Sequence, residues 1–251
     1  MEFDRHVLIP ASMSAFLMWY SLYNVFCLVF PAKSYEWNCR FVTLIHATIT
    51  TILSWIWGVY YNPWVFTDPG GENNAREILV CTICLGYFLF DFMWCLWFYD
   101  PNEKVMLLHH FFTIGGILLI MNTGHGGTEL NATIFGSEVS NPFLQARWFM
   151  RDAGYDKTWI YEINDLLFMV IFFVCRICVG TYLMYTEWSH PRPSLGVKLG
   201  GTAIYLVSVV FMYNIAMFAF KKYTRMYRAW KNRLKMVNGT LSNGRIEKKV
   251  Q

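Results

Sequence analysis

The chain has 251 residues, 55% of them hydrophobic, 19% aromatic and only 15% charged, against the roughly 25% charged residues usual in a soluble domain. That profile reads as an integral membrane protein with one domain and leaves no stretch over for a soluble catalytic domain. The net charge of +4 gathers after the last apolar segment, at Lys221, Lys222, Arg225, Arg228, Lys231, Arg233 and Lys235, where it marks a membrane-flanking tail and argues against nucleic acid as a partner.

Taken in chain order, six stretches reach the length of about 20 residues that a membrane crossing needs: Val7 to Phe30, Phe41 to Tyr61, Ile78 to Phe98, Val105 to Met121, Trp159 to Thr186 and Val197 to Phe220. The first is too long for a secretory signal and lacks a small-residue cleavage site, so it is expected to stay. Between the fourth and fifth lies Asn131 to Met150, too polar to face lipid, which is either a shielded seventh span or a re-entrant helix. Charge arbitrates. With seven spans and an outer N-terminus, Lys33, Arg40, Lys104, Arg147, Arg151 and Lys157 fall on the cytoplasmic side with the ten Lys and Arg after Phe220, as the positive-inside bias requires. A non-spanning segment would put the first six outside. The predicted fold is therefore an all-α polytopic bundle of seven transmembrane helices.

Within that apolar chain, ionisable groups need a reason. His109 and His110 stand side by side in the fourth span. At 1.5 Å per residue, His46, Asp91, His109, His110 and Asp165 all fall roughly 6 to 11 Å inside the cytoplasmic boundary. Ser137, Glu138 and Asn141 come from the shielded segment, where Glu138, Asn141 and Gln145 follow helical spacing and share one face. Such a layer predicts a polar cavity. Arg176, in the sixth span, reads as a structural partner for an acid or a carbonyl.

No metal is expected. Adjacent histidines on a helix point about 100 degrees apart and cannot chelate one ion alone. Seven cysteines lie mostly in apolar segments and read as small core residues; the Cys81/Cys84 and Cys175/Cys178 pairs would make a four-thiolate site only if their faces met. Asn131-Ala-Thr133 has the pattern of a glycosylation acceptor, Asn238, Gly239, Asn243 and Gly244 are expected to break the tail helix, and Gly196 with Gly200 forms a GxxxG pattern consistent with a homo-oligomer.

Read together, GYFLFD ending at Asp91, HHFFT from His109 to Thr113 and GSEVSNPFLQARW from Gly136 to Trp148 resemble the TLC-domain family, which includes the ceramide synthases. The phrases SYEW and NPW, with FGSE and NPFLQARWF, look most like the subgroup called TLC domain-containing protein five. The resemblance implies a TLC core of six helices over residues 35–223, preceded by a helix and loop over 1–34 and followed by a basic cytoplasmic tail over 224–251. In the ceramide synthases the paired histidines and later acids support acyl transfer from acyl-coenzyme A. Here His109, His110 and Thr113 match, but Ser137, Glu138, Ser140, Asn141 and Gln145 stand where that pattern has His, Asp, Ser, Asp and Glu, so only Ser140 is identical.

Two functions follow as expectations. In the first, the chain binds an acyl lipid in its cavity, lined by His46, Asp91, Thr113, Ser137, Glu138 and Asn141, takes part in membrane lipid homeostasis and needs no cofactor. In the second it is an acyltransferase with acyl-coenzyme A as co-substrate: His109 or His110 attacks or deprotonates, Asp165 or Asp91 orients the imidazole, and Thr113 with Asn141 positions the carbonyl. Lys248-Lys249-Val250-Gln251 resembles a dilysine retrieval signal, which points to the endoplasmic reticulum with a lumenal N-terminus, the Golgi and plasma membrane being the alternatives.

Overall fold

The computed structural model describes residues 5–67, 69–101 and 104–247, with side-chain surroundings for residues 7–234 inside those limits. In order, the helices are α1 (Arg5–Val29), α2 (Tyr35–Leu53) continued by a π-helical stretch (Ser54–Tyr60), α3 (Ala75–Trp97), α4 (Lys104–Thr123), α5 (Gly127–Glu138), α6 (Asn141–Asp152), α7 (Trp159–Phe172) continued by a second π-helical stretch (Phe173–Val179) into α8 (Gly180–Ser189), and α9 (Leu195–Glu247). The described residues up to Val209 form one compact unit, and the remainder of α9, residues 210–247, forms another. Among the described residues, six helical spans are long and apolar enough to cross a membrane. They coincide with the six read from the sequence.

Local chemistry sets the ends. The second span starts at Tyr35 rather than Phe41, because the Ser34 side chain caps the helix by accepting from Trp37 N at 3.0 Å and Glu36 pairs with Arg40 at 2.8 Å, which keeps a polar first turn helical. Asn74 and Glu77 form a reciprocal capping box at the start of α3. The tail departs from expectation in the other direction. The backbone is helical through Glu247, across Asn238, Gly239, Asn243 and Gly244; each glycine costs a helix only about 1 kcal/mol.

The sequence between α4 and α7 forms the seventh crossing, and it is broken. With Pro142 in the first turn of α6, the chain divides at Val139 and Ser140 into two helices of 12 residues each. Together they run antiparallel to the second span: Asn131 lies against Gly58, Phe135 meets Trp55 at 5.0 Å, Gln145 accepts from Arg40 at 3.4 Å, and Phe149 meets Trp37 at 5.2 Å. As one number rises the other falls, so α5 and α6 traverse the same thickness as the 26-residue span Tyr35–Tyr60.

The bundle therefore has an Arg40 end and a Glu77 end. At the Glu77 end the loops are clasped by polar side chains: Asn73 accepts from Gly127 N at 2.8 Å, Glu77 accepts from Thr128 at 2.6 Å and from Asn62 at 2.9 Å, and Glu129 accepts from Gly70 N. Asn131 belongs to this clasp. It is fully buried and donates to Gly127 O at 2.9 Å, so the folded chain does not offer it for glycosylation. Along the bundle, α1 packs parallel to α3, with Trp19 donating to Ile83 O at 3.2 Å and Tyr23 beside Trp94. Trp19, Val42, Val80, Leu85, Tyr87 and Ile117 form the centre of the apolar core. Outward, Leu28 and Trp97 are 80% and 83% exposed, as lipid-facing positions are.

Gly196 is used inside the unit. A Cβ there would come within 3.2 Å of Leu119 on α4, whereas Gly200 faces open space. Half of the GxxxG pattern is thus spent on an internal contact.

Candidate functional site

The five ionisable groups assigned to one layer divide into three surroundings. Asp91, on α3, is the centre of the first. Its Oδ2 lies 3.2 Å from His110 Nε2 on α4, and its Oδ1 accepts from the Cys39 thiol of α2 at 3.6 Å. One helical turn beyond Asp91, Cys95 joins them: one ligating atom from each of Asp91, Cys95 and His110 lies within 4.8 Å of the others. Phe88 packs between the spans, with its ring 5.6 Å from His110 and 6.0 Å from His109.

His46 does not line a cavity. It stacks on Tyr87 at 3.6 Å with the rings 9° from parallel, and Trp19 meets it edge-on at 5.4 Å. Fully buried, with neither ring nitrogen hydrogen-bonded among the described residues, it serves as an aromatic core residue. The sequence period that places it at the right depth carries no information on which neighbours fill the space around it.

Asp165 is the third case. Although it is completely buried, its Oδ1 lies 2.8 Å from Arg147 Nε. The structure gives this carboxylate to Arg147 of α6, which also reaches the Tyr161 hydroxyl at 3.4 Å, and does not bring it to the histidine pair. Two basic and acidic groups from adjacent helices neutralise one another there, which counting depth along single spans does not reveal.

The shielded segment behaves as its spacing suggests. Glu138 accepts from Asn141 at 3.0 Å, Asn141 accepts from Gln145 at 2.9 Å, and Gln145 in turn accepts from Arg40 at 3.4 Å. This relay crosses the break between α5 and α6 and ties both to α2. Arg176, in the second π-helical stretch, donates through Nη2 to the Ser137 carbonyl at 2.5 Å, as its sequence position suggests, and its guanidinium lies over Phe172 at 4.9 Å. Its Nε has no hydrogen-bond partner among the described residues. Glu138 and His109 both lie within electrostatic range of it. The Thr113 hydroxyl is likewise buried without a partner among the described residues.

The cavity is displaced from the histidines. About 70 Å³ of space lies between α5, the second π-helical stretch, α8 and the start of α9, walled by Leu183, Met184 and Ile204 and lined on its polar side by Ser137, Arg176 and Glu187. Of the expected lining His46, Asp91, Thr113, Ser137, Glu138 and Asn141, only Ser137 borders this cavity; around His46, aromatic side chains fill the space instead. Sequence reasoning also missed Glu187, Cys39 and Cys95. Cys95 had a readable signal in its i, i+4 spacing from Asp91 on one helix face. The pairs Cys81/Cys84 and Cys175/Cys178 form no joint cluster among the described residues.

Seven crossings, an interior His–carboxylate pair and a half-buried arginine beside a cavity define a polytopic helical membrane protein with a polar intramembrane site. The TLC domain matches residues 36–225, and the chain belongs to the TLC-domain family. It is 25% identical to TLC domain-containing protein 4-B of Danio rerio over 77% of each chain. It is 28% identical to TLC domain-containing protein 4 of Homo sapiens, over 66% of this chain and 65% of that one. To Topoisomerase I damage affected protein 4 of Saccharomyces cerevisiae it is 24% identical, over 78% of this chain and 71% of that one. These relatives carry other names than the subgroup suggested by the short phrases, and the family assignment rests on the domain as a whole.

Proposed function

We propose that the chain binds the polar end of an acyl lipid beside Arg176 and takes part in membrane lipid homeostasis. The observation that carries this reading is the cavity itself, where half-buried Arg176, whose buried Nε has no hydrogen-bond partner among the described residues, stands with Ser137 and Glu187 across from the apolar side chains of Leu183, Met184 and Ile204. Arginine matches the oxygens of a carboxylate or phosphate through its fixed fork of donors. With about 70 Å³, the space suits a headgroup fragment, and the acyl chain continues along the apolar wall of α8 and α9. Glu187, three turns from Arg176, offers an acceptor for a hydroxyl or amine of the same headgroup.

The acyltransferase reading keeps His109, His110, Thr113 and a carboxylate at Glu138, but Asn141 and Gln145 replace the other two later acids of the ceramide synthase pattern, and Asp165 is engaged by Arg147. It is the weaker of the two. The dilysine-like end, Lys248 to Gln251, lies outside the described residues and supports an endoplasmic reticulum location with a lumenal N-terminus as part of this proposal.

The test is mass spectrometry of lipid that co-purifies with the full chain, beside Arg176→Gln and the His109→Ala and His110→Ala variants, with acyl-coenzyme A turnover measured on each. The expected result is a bound lipid whose occupancy falls at least about tenfold in Arg176→Gln, one lost charge-assisted pair being worth roughly 1.5 to 3 kcal/mol, and no turnover. Equal occupancy in Arg176→Gln overturns the binding site, and turnover abolished by either histidine substitution selects the enzyme.

A further inference from the structure

Asp91, Cys95 and His110 present three different donor types to one point. The carboxylate and thiol stand one turn apart on α3, and the imidazole reaches across from α4, with their ligating atoms all within 4.8 Å of one another. His110 Nε2 and Asp91 Oδ2 are 3.2 Å apart, a separation that two ligands of one metal ion also have. Nitrogen and oxygen donors at about 2.0 to 2.1 Å from a tetrahedral zinc ion are separated by roughly 3.3 Å.

We propose that Asp91, Cys95 and His110 form a binding site for a divalent transition ion, Zn²⁺ by its chemistry. A thiolate, an imidazole and a carboxylate are the donor set that zinc accepts, whereas calcium and magnesium take oxygen donors and neither thiolate nor imidazole suits them. Two anionic ligands also balance the charge of the ion, which matters where the surroundings are as apolar as Phe88 and the lipid face of α3. The Cys39 thiol, donating to the other oxygen of Asp91 at 3.6 Å, fixes the carboxylate so that Oδ2 stays turned toward His110, the kind of outer support that metal carboxylates have. Three protein donors leave the fourth position to water or a ligand oxygen. The site joins α2, α3 and α4 and does not depend on the lipid cavity.

The full chain in detergent, stripped with a chelator and titrated with Zn²⁺, is expected to retain one ion per chain through gel filtration, as read by inductively coupled plasma mass spectrometry. Titrated with Co²⁺ instead, it is expected to show the intense d–d bands of a tetrahedral ion and a thiolate-to-cobalt charge-transfer band. Cys95→Ser removes that band and Asp91→Asn or His110→Ala removes retention, while Cys39→Ala weakens affinity about 10- to 100-fold and Cys178→Ser and Arg176→Gln leave metal binding unchanged. Weak octahedral cobalt absorption without a thiolate band in the unsubstituted chain overturns the proposal whether or not any variant folds. Retention in Cys95→Ser and His110→Ala equal to that of the parent does so too.

Discussion

Asp165 has no exposed surface, and its carboxylate depends on the Arg147 guanidinium 2.8 Å away. Removing one member of such a pair strands the other in an apolar interior, which costs about 3 to 5 kcal/mol, whereas replacing both with apolar side chains of similar volume is close to neutral. Arg147→Ala and Asp165→Ala are therefore each expected to lower the unfolding midpoint in detergent strongly, and Arg147→Met combined with Asp165→Leu to recover most of the loss. Additive losses in the double substitution would show that the two residues act separately. The same pair explains a limit of sequence reading at this scale. Depth along a span is legible, and Asp91 and His110, which share a depth, lie 3.2 Å apart, but the choice of partner is made across helices, and Asp165 and His46 meet an arginine and an aromatic stack instead.

At the scale of elements, the six long spans were legible because each is an apolar run of sufficient length, and the membrane leaves a helix as the economical way to satisfy their backbones. The broken crossing was legible in part. Its polar face appears in the spacing of Glu138, Asn141 and Gln145, but the break between α5 and α6 depends on Pro142 and on the packing of each half against a different part of the second span. Helix contacts were not legible at all. At Gly86, for example, a Cβ would come within 2.6 Å of the Ala15 backbone, and a main chain cannot move aside as a flexible side chain does. Gly86→Ala is thus expected to destabilise the packing of α1 on α3 by about 1 to 3 kcal/mol, as overpacking does, while Gly200→Ala, which meets open space, does not. Thermal unfolding of the two variants checks this, and equal midpoints would mean that α1 is not held at that contact.

For the molecule as a whole, the broken crossing decides which loops share a side of the membrane. Were α5 and α6 re-entrant, the loop after Thr123 and the turn at 153–158 would emerge together. The antiparallel course against the second span, from Gly58 beside Asn131 to Trp37 beside Phe149, sends them to opposite faces. Lys33, Arg40, Lys104, Arg147, Arg151 and Lys157 then gather at the Arg40 end, and the positive-inside bias predicts that this end faces the cytoplasm. Thr123 and Asp156 are both exposed and report on the two faces. With Cys178 replaced by serine, Asp156→Cys is expected to react with a membrane-impermeant maleimide added to cells whose plasma membrane alone has been opened. Thr123→Cys is expected to react only after the internal membranes are also dissolved. Labelling of both positions from one side would make α5 and α6 a re-entrant pair and reverse the sidedness of every loop before them.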